Sequence, residues 1–134
     1  MKVRGTDFVL FHVSDLPRAA AFYCDVLGLR CEIESVPYQW AKFDCGNVTL
    51  SLMGNSVPTG VTATGEIALA VEDVPAAYRE LTERGVWVED APVDSGFCVA
   101  FKVKDPDGNV VIVHRRHDGS YGPTSPTHPA GDGL

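Results

Sequence analysis

Glu66 is the residue of this chain best placed to do chemistry. It opens the run Glu66-Ile67-Ala68-Leu69-Ala70-Val71, and a carboxylate on an otherwise apolar strand must be hydrogen-bonded, paired or held neutral, because an isolated buried charge is costly. So placed, it can accept hydrogen bonds from a bound molecule, serve as a general base, or pair with a neighbouring basic or hydroxyl side chain. His12 and His114 fall in two other apolar runs. There they either contact a ligand or sit near the strand ends, hydrogen-bonded or facing solvent. Aromatic residues Phe8, Phe11, Tyr38, Trp40, Phe43, Trp87, Phe97 and Phe101 lie in or beside strand candidates. Strand parity turns only some of them to one face, and as a group they suit a flat, partly aromatic ligand. Cys24, Cys31, Cys45 and Cys98 contain no Cys-x-x-Cys pair and read as reduced, half-buried packing thiols. No nucleophile–histidine signature, phosphate loop or dinucleotide fingerprint occurs.

The elements that must position these groups come in two rounds. Val13-Ser14-Asp15-Leu16-Pro17-Arg18-Ala19-Ala20 is echoed by Val71-Glu72-Asp73-Val74-Pro75-Ala76-Ala77-Tyr78. Each copy follows an apolar run, opens an amphipathic helix and stops at a glycine, Gly28 or Gly85, so a supersecondary unit is used twice. Ser14 or Asp15 can cap the first helix, Pro17 suits its first turn, and Leu16, Ala19, Ala20, Tyr23, Val26 and Leu27 fall on one face. Strands are expected over residues 8–13, 30–36, 39–44 and 48–53, and again over 66–71, 86–89, 97–103 and 110–114. Asp105-Pro106-Asp107-Gly108 reads as the last turn. The expected organisation is an α+β domain over residues 1–116 made of two βαβββ modules, 7–53 and 65–115. A linker, 54–64, joins them and a flexible tail, 117–134, follows.

Size and charge narrow the partners. A chain of 134 residues fits one domain, and a net charge of −7 with a pI near 4.9 repels a phosphate backbone, so no nucleic acid is expected. No apolar run approaches the ~18 residues that span a bilayer. Residues 1–7 lack the pattern of a secretory signal, which makes the cytoplasm the expected compartment and membrane association unexpected.

The chain resembles the vicinal oxygen chelate superfamily, which holds glyoxalases, extradiol dioxygenases, epimerases and bleomycin-resistance-type binding proteins. The resemblance is carried by Val13-x-Asp15-Leu16 leading to Phe22-Tyr23-Cys24-Asp25-Val26-Leu27-Gly28-Leu29, by Gly65-Glu66-Ile67-Ala68-Leu69-x-Val71-x-Asp73, and by Phe101-x-Val103-x-Asp105-Pro106-Asp107-Gly108-Asn109. It implies curved mixed sheets around a cavity, and a homodimer.

Metal-using members of that superfamily carry ligands on the first and last strands of each module. The first-strand position, seven residues before the Asp of the repeat, holds Phe8 and Glu66; the last-strand positions hold Ser51 and Ile112. A phenyl ring and an isoleucine offer no lone pair to a cation. No metal and no cofactor are therefore expected at these four positions. A displaced triad of His12, Glu66 and His114, matched by strand parity, would restore a zinc-like or iron-like donor set. The ligand-binding residues this implies are Phe8, His12, Trp40, Phe43, Ser51, Glu66, Phe101, Ile112 and His114, with Glu66 the catalytic base if the protein is an enzyme. The leading expectation is a metal-independent protein of the bleomycin-resistance type that sequesters a hydrophobic, aromatic or glycopeptide antibiotic. Its rival is a lyase, isomerase, epimerase or dioxygenase of the same superfamily, using Glu66 as base or the displaced metal. A module that serves only protein interactions is a third possibility, with little beyond the acidic surface to suggest it.

Overall fold

The computed structural model describes residues 1–58 and 60–123, and the chain divides into two compact units. Met1–Gly65 and Asp105–Asn109 form the first; Glu66–Lys104 and the described residues from Val110 onward form the second.

In the first unit, β1 (Phe8–His12) leads to helix α1 (Leu16–Ala21), and β2 (Arg30–Ser35), β3 (Trp40–Asp44) and β4 (Thr49–Met53) follow. The sheet order is β1-β4-β3-β2, with β1 parallel to β4 and the remaining pairs antiparallel. Of the two cap candidates, Asp15 caps the helix, its carboxylate accepting from Arg18 N at 3.1 Å. Ser14 instead donates its hydroxyl to Asp107. Beyond Ala21 the helix widens into a π turn over Phe22–Val26, where Leu27 N donates to Phe22 O at 3.0 Å and both Phe22 and Tyr23 are buried. Gly28, at φ +79°, lets Leu29 N return to Tyr23 O and ends the helix as expected. The core is Val13, Leu16, Ala19, Tyr23, Ala41, Phe43, Leu50 and Leu52, all fully buried.

The second unit repeats the plan. β5 (Glu66–Ala70), α2 (Val74–Glu83), β6 (Val93–Asp94), β7 (Cys98–Lys104) and β8 (Val110–Arg116) give the order β5-β8-β7-β6, again with the first and last strands parallel. Asp73 caps α2 through Ala76 N at 2.9 Å, matching Asp15. One expectation fails here. Residues 86–89 are not a strand: Val88 makes a single bridge to Val103 and Glu89 N donates to Lys102 O. The strand on that edge is Val93–Asp94, paired with Val99 and Ala100, because Pro92 has no N–H to offer and the ladder is joined only after it.

The start of the expected tail is tied down. His117 donates from its backbone to Phe97 O and meets Asp94 through Nε2 at 2.7 Å, and Arg116 donates to Gly122 O at 2.8 Å. Residues 124–134 lie outside the described residues. No helix among the described residues is long and apolar enough to cross a membrane.

Candidate functional site

Each sheet has one face under its helix and one face turned away from it, and register decides which side chains go where. In the first unit Phe11 and Phe43 lie under the helix against Tyr23, with ring centroids 6.5 and 5.9 Å away. The opposite face carries Phe8, Leu10 and His12 on β1, Thr49, Ser51 and Met53 on β4, and Trp40, Lys42 and Asp44 on β3. There Phe8, 47% exposed, meets Trp40 edge-on at 6.1 Å, and the Lys42 ammonium lies 5.8 Å from the Trp40 ring centre. Ser51, level with Leu10 and Lys42, is fully buried and its Oγ has no hydrogen-bond partner. An unmatched buried hydroxyl costs about 1–3 kcal/mol.

In the second unit the corresponding face holds Glu66, Ala68 and Ala70 on β5, with Ile112 level with Ala68 and Lys102, and His114 level with Ala70 and Ala100. Glu66 is paired: its Oε1 lies 3.3 Å from Lys102 Nζ, both side chains about half exposed. His114 Nε2 is buried and makes no hydrogen bond.

Several sequence expectations are corrected by this placement. Phe43 is fully buried beneath α1, and Phe101 is packed 5.5 Å from Tyr78 of α2; both are core residues on the wrong face for a ligand that contacts Phe8 or Glu66. The displaced triad fails inside the second unit alone. Glu66 is level with Val110, whereas His114 lies four residues further along β8, a separation of roughly 13 Å at strand rise, too far for one ion. His12 gives Nδ1 to a 3.0 Å contact with Ser56 Oγ. Among the described residues no group of three His, Cys, Asp or Glu side chains is arranged to hold a metal. The superfamily's four ligand positions do not fit one either, since Phe8 and Ile112 have no donor atom, Ser51 neighbours a lysine and Glu66 is engaged by another. Cys24 and Cys31 are exposed rather than half-buried, and Cys98 is buried. Partial desolvation, then the nearby Glu34 carboxylate, raises the Cys31 thiol above its ordinary range, and burial does the same to the half-buried Cys45.

Sequence reasoning missed the polar knot that holds the first unit together. Asp105 is buried and its carboxylate accepts from Tyr23 Oη, Asp107 N, Asn109 N and Asn109 Nδ2, each at 2.9 Å. Asn109 Nδ2 also reaches His12 O at 3.0 Å, and its Oδ1 accepts from Gly65 N at 3.0 Å. Burial, then the charge and hydrogen bond of Asp105, hold the Tyr23 phenol far above the usual tyrosine range. The visible signal was Asp105-x-Asp107-Gly108-Asn109, whose first Asp folds onto the N–H two residues later in the manner of an Asx turn.

A family profile described as Glyoxalase/Bleomycin resistance protein/Dioxygenase superfamily matches residues 5–113. The chain belongs to that superfamily. The glyoxalase/bleomycin-resistance superfamily fold accounts for the two βαβββ units, and a solved superfamily member from Sphaerobacter thermophilus superposes with a TM-score of 0.70 at 25% identity, covering 85% of this chain and 98% of that one. Among curated superfamily proteins, the lactoylglutathione lyase of Haemophilus influenzae is 32% identical over 113 residues, 74% of this chain and 83% of that one. The lactoylglutathione lyase of Salmonella typhimurium is 28% identical over 127 residues, 84% and 93% respectively.

Proposed function

We propose that this superfamily member is a metal-independent small-molecule-binding protein of the bleomycin-resistance type, which sequesters a hydrophobic, aromatic or glycopeptide antibiotic without altering it. The observation that carries this reading is the side-chain chemistry at the superfamily's ligand positions, where Phe8, Ser51 and Ile112 stand and Glu66 is bound to Lys102. The open face around Phe8 and Trp40 supports it. Two rings meeting at 85° offer both an edge and a face to a flat ligand, and Lys42 adds a cation beside them. On this reading the protein acts as a cytoplasmic homodimer, which light scattering of the purified protein tests directly.

An enzyme is the second reading, favoured by the names of the curated relatives. In it Glu66 takes a proton from the substrate. A half-exposed pair with Lys102 is weak enough to open when substrate arrives.

The deciding experiment titrates the protein with a bleomycin, following tryptophan fluorescence with Trp87→Phe to isolate the Trp40 signal, and then recovers the ligand for mass analysis. Saturable binding with unaltered ligand, unaffected by chelator, is the expected result. Chemically changed ligand overturns sequestration, and its loss in Glu66→Gln establishes the enzyme instead.

A further inference from the structure

A cavity of about 460 Å³ opens beside β1, walled by Leu10 and Phe11 of that strand and by Val57, Pro58 and Val61 of the loop over residues 54–64. Its size falls in the range of small-molecule sites, roughly 300–1,000 Å³. Its walls are fixed at both ends of the loop. Ser56 N donates to Val13 O at 3.1 Å on one side; on the other, Ala63 N donates to Asp107 O at 2.9 Å and Gly65 N to Asn109 Oδ1 at 3.0 Å. The Asp105–Asn109 turn, itself anchored by Tyr23, therefore holds the far wall in place.

His12 lines the same cavity, and its hydrogen-bond partner settles which ring nitrogen carries the proton. Ser56 Oγ lies 2.6 Å from the Met53 carbonyl, which can only accept, so the hydroxyl hydrogen is spent there. Toward His12 the Ser56 oxygen is then the acceptor, and Nδ1 is the donor across the 3.0 Å contact. In the neutral ring this leaves Nε2 with its lone pair, an unprotonated hydrogen-bond acceptor on a residue that lines the cavity.

We infer that this cavity is a ligand site in its own right, taking a compact aromatic molecule with one O–H or N–H donor that His12 Nε2 accepts. It is lined by His12 and the loop, with neither Phe8 nor Trp40 in its walls, and does not rest on the sequestration reading. The apolar walls supply affinity. The oriented imidazole supplies selectivity, because a ligand lacking the donor leaves the acceptor unmatched.

Calorimetric titration of the full chain with 2-naphthol and with 2-methoxynaphthalene tests this, since the two differ only in the hydrogen of the donor and a methyl group. The expected result is about tenfold tighter binding of the naphthol, the worth of one hydrogen bond. In His12→Phe the two affinities converge, and in Ser56→Ala, where the ring is free to hold its proton on either nitrogen, the preference shrinks to a few-fold at most. Amide shifts on adding naphthol concentrate in residues 56–65. Equal affinities in the unmutated protein, no binding of either compound at about 1 mM, or shifts centred on Trp40 and Lys42 instead, would each overturn the inference. The comparison of the two ligands requires no variant, so a misfolded substitution leaves it decisive.

Discussion

The Tyr23 hydroxyl donates to Asp105 Oδ2 at 2.9 Å across 82 positions of chain, both groups buried. Within the first unit that bond ties α1's π turn to the Asp105–Asn109 turn, and it carries a charge-assisted share of that unit's stability. Tyr23→Phe removes the hydroxyl and leaves the carboxylate short of a donor. A loss of about 1.5–3 kcal/mol is expected in urea denaturation, at unchanged dependence on denaturant.

The same pair gives an alkaline signature. Because the folded phenol titrates above the unfolded one, the native state holds a proton that the unfolded state releases. Its contribution is complete below about pH 10, the ordinary tyrosine value, and is lost as pH rises beyond it. Absorbance at the tyrosinate band should show one of the four tyrosines resisting ionisation until the protein unfolds. Tyr23→Phe should flatten the fall in stability above that pH.

Gly65 is required by space. A Cβ there meets Asn109 Oδ1 at 2.6 Å and the Phe11 ring at 2.7 Å, and both neighbours are held by their own packing. Gly65→Ala should cost about 1–3 kcal/mol and loosen the loop over residues 54–64, measured as a lowered denaturation midpoint and faster amide exchange at Ala63.

Ser51→Ala is expected to raise stability and leave binding unchanged. Removing the unmatched buried hydroxyl should stabilise the protein by about 1 kcal/mol. Affinity in the fluorescence titration should be unchanged, because the fully buried side chain presents no atom to a ligand.

The two helix caps allow a paired test of the duplication. Asp15→Ala and Asp73→Ala each remove one side-chain acceptor from the third following N–H. Each should cost about 0.5–2 kcal/mol by thermal denaturation, with Asn substitution restoring most of it.

The repeat, the glycine stops, Asp15 as one of two candidates for the first cap and all strands but one were legible in the chain itself, because they depend on neighbours within a few residues: Asp15 and the N–H of Arg18, Gly28 and a left-handed backbone, alternation along Leu50-Ser51-Leu52. The absence of donor atoms at Phe8 and Ile112 was equally legible, being a matter of side-chain chemistry. Residues 86–89 misled because an apolar run satisfies strand propensity whether or not a partner lies beside it, and the edge there begins after Pro92.

Only the tertiary structure decided faces and partners. Trp40 and Phe43 are an odd number of residues apart, so one strand must turn them oppositely; that Trp40 shares a face with Ser51 follows from the pairing of Lys42 with Ser51, a contact between strands. The Glu66–Lys102 pair, the Tyr23–Asp105 bond and the Ser56 contact that fixes the His12 ring likewise join residues far apart in the chain. Local sequence sets backbone preference and periodicity, but a hydrogen bond or ion pair is chosen by distance in space, and folding alone supplies that distance.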